Sequence, residues 1–193
     1  MNKPLSMNKP LSVVGVSGSL RKASVNSLYL RALALVCPAH INFQIYTELA
    51  SIPPFNVDHD VNPPEAVLHW KSFLGQADMI ILATPEYTHS ISGVLKNALD
   101  WLVSDYQLLG RPLAFPNVSV RADRAQKQME EVLRTMGFTL VEACSPRATV
   151  DKPFINPELN DREIAAHPEF NERLGDFWKE VDAYFAKRES GHQ

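Results

Sequence analysis

A run of small hydroxyl residues around one arginine, Ser17-Gly-Ser-Leu-Arg-Lys-Ala-Ser-Val-Asn26, concentrates the groups of this sequence that could hold an anion. Ser19 and Ser24 offer hydroxyls, Asn26 an amide and Arg21 a guanidinium. An apolar β-branched run stands before this stretch and apolar residues at helical spacing follow it, so it reads as a strand-to-helix turn. The first turn of a helix leaves N–H groups without partners, and its dipole favours negative charge. The set suits a terminal phosphate. Gly15 and Gly18 do not spell the dinucleotide fingerprint, and no Gly-Lys-Ser/Thr follows as in a P-loop. A single Arg among neutral donors suits a monophosphate. A plainer reading stays open beside it, with Ser24 an ordinary helix cap and Arg21 solvated.

The second stretch with chemical potential is Pro85-Glu-Tyr-Thr-His-Ser-Ile-Ser-Gly93, which offers backbone N–H groups, a carboxylate and a phenol. Here too plainer roles are available. Tyr87 reads equally as a loop tyrosine packed on a neighbouring helix, Glu86 as a solvated carboxylate and His89 as an ordinary loop histidine.

The elements that would position these groups can be read from periodicity. Leu11–Val16 is a short buried strand, and 27–36 is a helix. Ile41–Tyr46 alternates apolar with polar as a half-buried strand does, and a proline-rich loop runs from Ser51 to Pro64. Pro64 and Glu65 open a helix with Ala66, Val67, Trp70, Phe73 and Leu74 on one face. Within 77–84, the almost unbroken apolar core from Met79 to Ala83 suits a central parallel strand covered on both faces. A helix begins near Ser92 or Gly93, with Ile91, Leu95, Ala98 and Leu102 as its buried stripe. Pro112–Ser119 is a weaker strand, interrupted by Pro116. Ala122–Met136 is a helix closed by Gly137, and Phe138–Glu142 a last short strand. From Asp161 to Lys187 the pattern is helical again, with Pro168 breaking or restarting it.

Five alternations of strand and helix predict an α/β fold, a parallel sheet with helices on both faces. Ligands in such sheets bind beyond the carboxyl ends of the strands, where the strand order switches. In a five-stranded sheet of order 2-1-3-4-5, the turn after strand one and the loop after strand three are neighbours. Chemistry and geometry select the same two stretches.

Length and composition narrow the function classes. A chain of 193 residues with 45% hydrophobic content fits one domain of about 100–200 residues. The net charge of −3 and pI near 6.1, with no basic cluster, do not invite nucleic acid. Cys37 and Cys144 form no disulfide framework, which suits a reducing cytoplasm, and the six scattered histidines form no metal pattern. No apolar stretch approaches the roughly 20 residues of a membrane span. Met1-Asn-Lys-Pro-Leu-Ser6 is repeated as Met7-Asn-Lys-Pro-Leu-Ser12. The first copy, residues 1–6, reads as a disordered leader, and 7–193 as a single domain.

Taken together, Gly18-Ser-Leu-Arg-Lys-Ala-Ser-Val-Asn26 and Pro85-Glu-Tyr-Thr-His-Ser-Ile-Ser-Gly-Val-Leu-Lys-Asn-Ala-Leu-Asp-Trp101 resemble the NADPH-dependent FMN reductase family of quinone, azo-dye and chromate reductases. The resemblance extends from Met7 over nearly the whole chain. It implies a flavodoxin-like domain in which Ser19, Arg21, Ser24 and Asn26 bind the FMN phosphate. Pro85, Glu86, Tyr87 and Thr88 would lie along the isoalloxazine ring, with backbone N–H groups at its polar edge. NADPH or NADH would be the co-substrate and a small electron acceptor such as a quinone the second substrate. No side-chain acid or base is expected. Lys96, Asn97, Asp100 and Trp101 are assigned to helix packing or a subunit interface. A homodimer or homotetramer is implied, built on apolar helices around Trp101 and Trp178.

The chain departs from the family pattern in two places. Thr88 stands where the family usually has Asn, which removes an amide donor. The glycine-rich loop expected after the fourth strand is replaced by Asn117-Val-Ser-Val-Arg-Ala-Asp123, and no glycine lies between Gly110 and Gly137. Ser119 is the residue of that segment that could keep a polar contact with the cofactor. Two other function classes remain open on the sequence: a flavin-less binding protein of degenerate type and a flavodoxin-type electron carrier.

Overall fold

The computed structural model describes residues 9–119, 122–149 and 152–190. The repeated leader, residues 1–6, lies outside the described residues. Among those described, five strands form one parallel sheet: β1 (Leu11–Ser17), β2 (Ile41–Tyr46), β3 (Met79–Ala83), β6 (Pro112–Ala114) and β7 (Thr139–Leu140). Their order is β2-β1-β3-β6-β7, the predicted 2-1-3-4-5 order once the separate hairpin of β4 (Glu86–Tyr87) and β5 (Ser90–Ile91) is set aside. All neighbouring sheet strands pair in parallel, for example Ser17 with Ala83 and Ile81 with Ala114.

Helices cover both faces. The helices α2 (Glu65–Gly75), α3 (Gly93–Asp100) and α4 (Asp123–Thr135) place Trp70, Leu95, Ala98 and Met129 in a core with Val14, Val16, Ile80 and Leu82. On the other face α1 (Val25–Leu35), α5 (Asp161–Ala166) and α6 (Pro168–Ser190) bury Leu30, Leu33, Ile164 and Trp178 against Val13, Met79 and Ile81. Every residue of β3 is buried, as expected of a central strand. Pro168 restarts a helix rather than ending one, consistent with a proline needing no N–H partner in a first turn.

Three expectations are corrected. The fourth strand is shorter than predicted, ending at Ala114 before Phe115 and Pro116. The stretch after β3, read from the sequence as a loop, contains a tight hairpin. Trp101 and Trp178 are each 1% exposed and lie inside their own chain, so neither offers a surface for assembly. Trp101 Nε1 instead donates to Pro53 O (2.9 Å), and Trp178 Nε1 to Leu33 O (3.1 Å). The ring of Phe55 meets that of Trp101 edge-on at 5.0 Å. Asn97 completes the hold on the proline-rich loop, accepting from Phe55 N (2.7 Å) and donating to Pro53 O (2.9 Å). The assignment of Asn97 and Trp101 to packing therefore agrees with their contacts. Lys96 pairs with Asp100 along α3.

Candidate functional site

The turn between β1 and α1 is wired by hydroxyls. Ser17 Oγ accepts from Ser27 Oγ (2.8 Å) and from Ser19 N (3.3 Å), tying the strand end to the helix start. Ser19 Oγ accepts from Arg21 N (3.4 Å) and Ser24 Oγ from Ser27 N (3.3 Å), so Ser24 is indeed the N-cap of α1. A serine hydroxyl that accepts one bond keeps its own hydrogen to donate. The capping role and the anion role are therefore compatible. Asn26, only 1% exposed, has an amide oxygen with no hydrogen-bond partner. The two ends of an amide are assigned from their partners, and the end placed as oxygen is buried without one. Arg21 is exposed, and its guanidinium has no ion pair or hydrogen bond among the described residues.

The turn touches the exit of β3. Gly18 N donates to Ala83 O (2.8 Å). A Cβ on Gly18 would stand 2.6 Å from Thr84 Oγ1 and 3.0 Å from Leu95 Cδ2, so only glycine permits this approach. Thr84 Oγ1 in turn donates to Pro85 O (3.2 Å) and lies 3.5 Å from its donor Ser92 N, while Ser92 Oγ caps α3 through Leu95 N (3.4 Å). The half-buried Pro85 thus sits one residue from the contact of the β1–α1 turn.

Beyond Pro85, Tyr87 pairs with Ser90 and Glu86 with Ile91. Thr88 (φ 51°) and His89 (φ 61°) make the connection. Two consecutive left-handed residues are the geometry of a type I′ turn, which Asn-Gly usually supplies. Tyr87 is half exposed, with 47% of its surface open. Glu86 is neither solvated nor free, since its side chain is 14% exposed and its Oε2 accepts from Arg124 N and Ala125 N, each at 2.9 Å. His89 Nδ1 lies 3.2 Å from Glu86 Oε1. The Ala125 N–H does most to hold the Glu86 carboxyl below its ordinary range.

Ser119 belongs to a separate segment, joined to the hairpin through α4. Gln126 Nε2 donates to Phe115 O (2.8 Å), and the buried Asn117 donates to Ala122 O (3.3 Å) while accepting from Ser119 N (3.1 Å). No residue from 115 to 119 has positive φ, so an asparagine side chain shapes this bend where glycines were expected. Val120 and Arg121 lie outside the described residues.

A cleft of about 310 Å³ opens between Leu20, the loop at Leu49–Pro54 and the start of α3 at Gly93, Val94 and Asn97. A smaller hollow of about 190 Å³ lies against Ala23–Val25, Arg31 and Asn160. The β1–α1 turn stands between the two, with Leu20 on the cleft and Ala23–Val25 on the hollow. Sequence reasoning missed Ser17, Ser27, Thr84, Gln126 and Gln128. A hydroxyl at the end of each of two adjacent strands, Ser17 and Thr84, was the available signal.

Residues 11–149 match the family model described as NADPH-dependent FMN reductase, well over half of the chain. The chain belongs to the NADPH-dependent FMN reductase family. It is 34% identical to a quinone reductase of Escherichia coli K12 over 134 residues, covering 66% of this chain and 71% of the relative. It is 33% identical to an NAD(P)H-dependent FMN reductase of Pseudomonas aeruginosa over 133 residues, with the same coverage. The NAD(P)H:acceptor flavoenzyme FerB of Paracoccus denitrificans shares the fold, with a TM-score of 0.67 and 24% identity over 90% of this chain and 94% of that one.

As a member of the FMN reductase family, the chain is an NAD(P)H-dependent oxidoreductase that uses FMN. The residues present fit that cofactor. Asn26 with its one unpartnered amide end, the unpaired Arg21 and the close approach permitted by Gly18 lie together between the end of β1 and the first turn of α1. No helix among the described residues is long and apolar enough to cross a membrane.

Proposed function

We propose that the β1–α1 turn holds the FMN phosphate through Ser19, Arg21, Ser24 and Asn26. Pro85, Glu86, Tyr87 and Thr88 lie along the ring, and Ser119 adds a polar contact. Glu86 contributes its backbone there, because its carboxylate is engaged with α4. Bound at this site, FMN supplies the hydride relay from NADPH or NADH to a quinone-like acceptor. The protein's part is to orient and stabilise. Arg21 balances the phosphate charge, Tyr87 offers an exposed ring at the site's edge, and N–H groups of the hairpin and of the α3 start face negative charge as an oxyanion hole would. The observation that carries this reading is a turn of uncommitted anion donors held against the β3 exit by Gly18.

A small-molecule acceptor is supported by the names of the relatives, among them a 2-hydroxy-1,4-benzoquinone reductase of a Burkholderia species, 38% identical over 91 residues. We assign the protein to the cytoplasm, as one unit over 7–193 that assembles as a homodimer or homotetramer. The exposed apolar side chains of Val57, Val61, Val103 and Tyr106 support assembly better than the buried tryptophans do.

The test is the visible spectrum of the purified protein with added FMN. A bound flavin that bleaches with NADPH or NADH and recovers with benzoquinone is the expected result. Protein left colourless by FMN would favour the flavin-less binding protein. Bound flavin that nicotinamide does not bleach would favour the electron carrier.

A further inference from the structure

We infer that Glu86 is a positioning residue, which sets the gap between the β4–β5 hairpin and the exit of β6 by serving as the N-cap that α4 does not carry itself. The inference deepens the cofactor reading, because these are the two segments assigned to the FMN ring.

The residue at the N-cap position of α4 is Ala122, which has no side chain able to accept from the first turn. Alanine is among the poorest residues at this position, since the exposed N–H groups stay unsatisfied. Glu86 makes good the deficit from 38 residues away in sequence, with two bonds of 2.9 Å from a carboxylate facing the positive end of the helix. A local cap would satisfy α4 alone. This one also fixes the strand that carries it.

A second tie holds the other hairpin strand. Gln128 Oε1 accepts from Ser90 Oγ (2.6 Å) and Ile91 N (2.9 Å). A hairpin of two residues per strand is not stable alone, and its turn is left-handed at a β-branched residue. Its place therefore depends on α4. The same helix grips the β6 exit through Gln126 and, at its head, Asn117. One rigid element thus holds both segments, and the reach of the Glu86 side chain enters directly into their separation.

The test compares Glu86→Ala, Glu86→Asp and Glu86→Gln in the full chain, by amide hydrogen exchange without ligand and by FMN titration. Glu86→Ala is expected to speed exchange at Arg124 and Ala125. It should also speed exchange at Ile91, whose N–H is bonded to Gln128 and not to Glu86, by about tenfold or more. FMN affinity should fall about tenfold. The shorter Asp should behave like Ala, and Gln, which keeps an acceptor oxygen at the same reach, should restore most of both. Faster exchange confined to α4, with FMN affinity within about twofold of the parent, would reduce Glu86 to a helix cap and overturn the inference. If the parent protein takes no FMN, the cofactor reading fails, and exchange at Ile91 alone decides the role of Glu86. Should Glu86→Ala fail to fold, Glu86→Asp carries the same comparison.

Discussion

Gly18 and Thr84 are packed so closely that a single methyl group on the glycine would lie 2.6 Å from the threonine hydroxyl. This contact joins the two loops that the sheet order brings together, and the backbone bond from Gly18 N to Ala83 O runs beside it. Gly18→Ala should therefore lower stability by about 1–3 kcal/mol, since the atoms in its way belong to a β-branched side chain and a buried leucine. Gly93→Ala is the control: nothing stands within 4 Å of the added methyl. It should change stability by less than about 0.5 kcal/mol. Urea unfolding of both variants checks the pair, and equal effects would contradict the contact.

Arg21→Ala should weaken FMN binding by about 1.5–3 kcal/mol, the worth of a hydrogen bond to a charged group. The unfolding midpoint should not move, because this guanidinium has no partner among the described residues. Fluorescence titration decides the matter. Unchanged FMN affinity would mean that the phosphate lies elsewhere.

Thr88→Gly should stabilise the protein by about 1 kcal/mol, because threonine in the left-handed region is strained and glycine is not. Thr88 is exposed, so few contacts are lost with its side chain. A fall in the urea midpoint would show that the side chain itself holds the turn.

The acid limb of stability should carry the mark of Glu86. Its carboxyl is held below its ordinary range, first by the Ala125 N–H, then by His89 and the Arg124 N–H, with burial opposing. A depressed folded value means that the stabilisation is complete above the ordinary carboxylate pKa of about 4.3 and is lost as the pH falls through the lower folded value. The stability gap between the parent and Glu86→Gln should close as the pH falls below about 4.3 and through the lower folded value. A gap that widened over that acid range would refute the assignment.

Much of this protein is legible without coordinates. The apolar run of 79–83 reads as a covered central strand and is one, and Ser24, Ser92 and Gly137 stand at helix ends where their local chemistry favours them. Alternation of such elements leaves few topologies, which is why the strand order and the closeness of the loops after β1 and β3 follow from pattern alone. The hairpin at Glu86–Ile91 was not legible, since Thr-His carries none of the usual turn preference and its geometry is imposed by α4. Nor was the fate of Glu86, of the proline-rich loop under Asn97 and Trp101, or of the glycine-free bend at Asn117. Local sequence decides secondary structure and order because propensity, capping and periodicity act over a few residues. Partners separated by tens of residues are chosen only when the packed core fixes which side chains stand within 3 Å of one another.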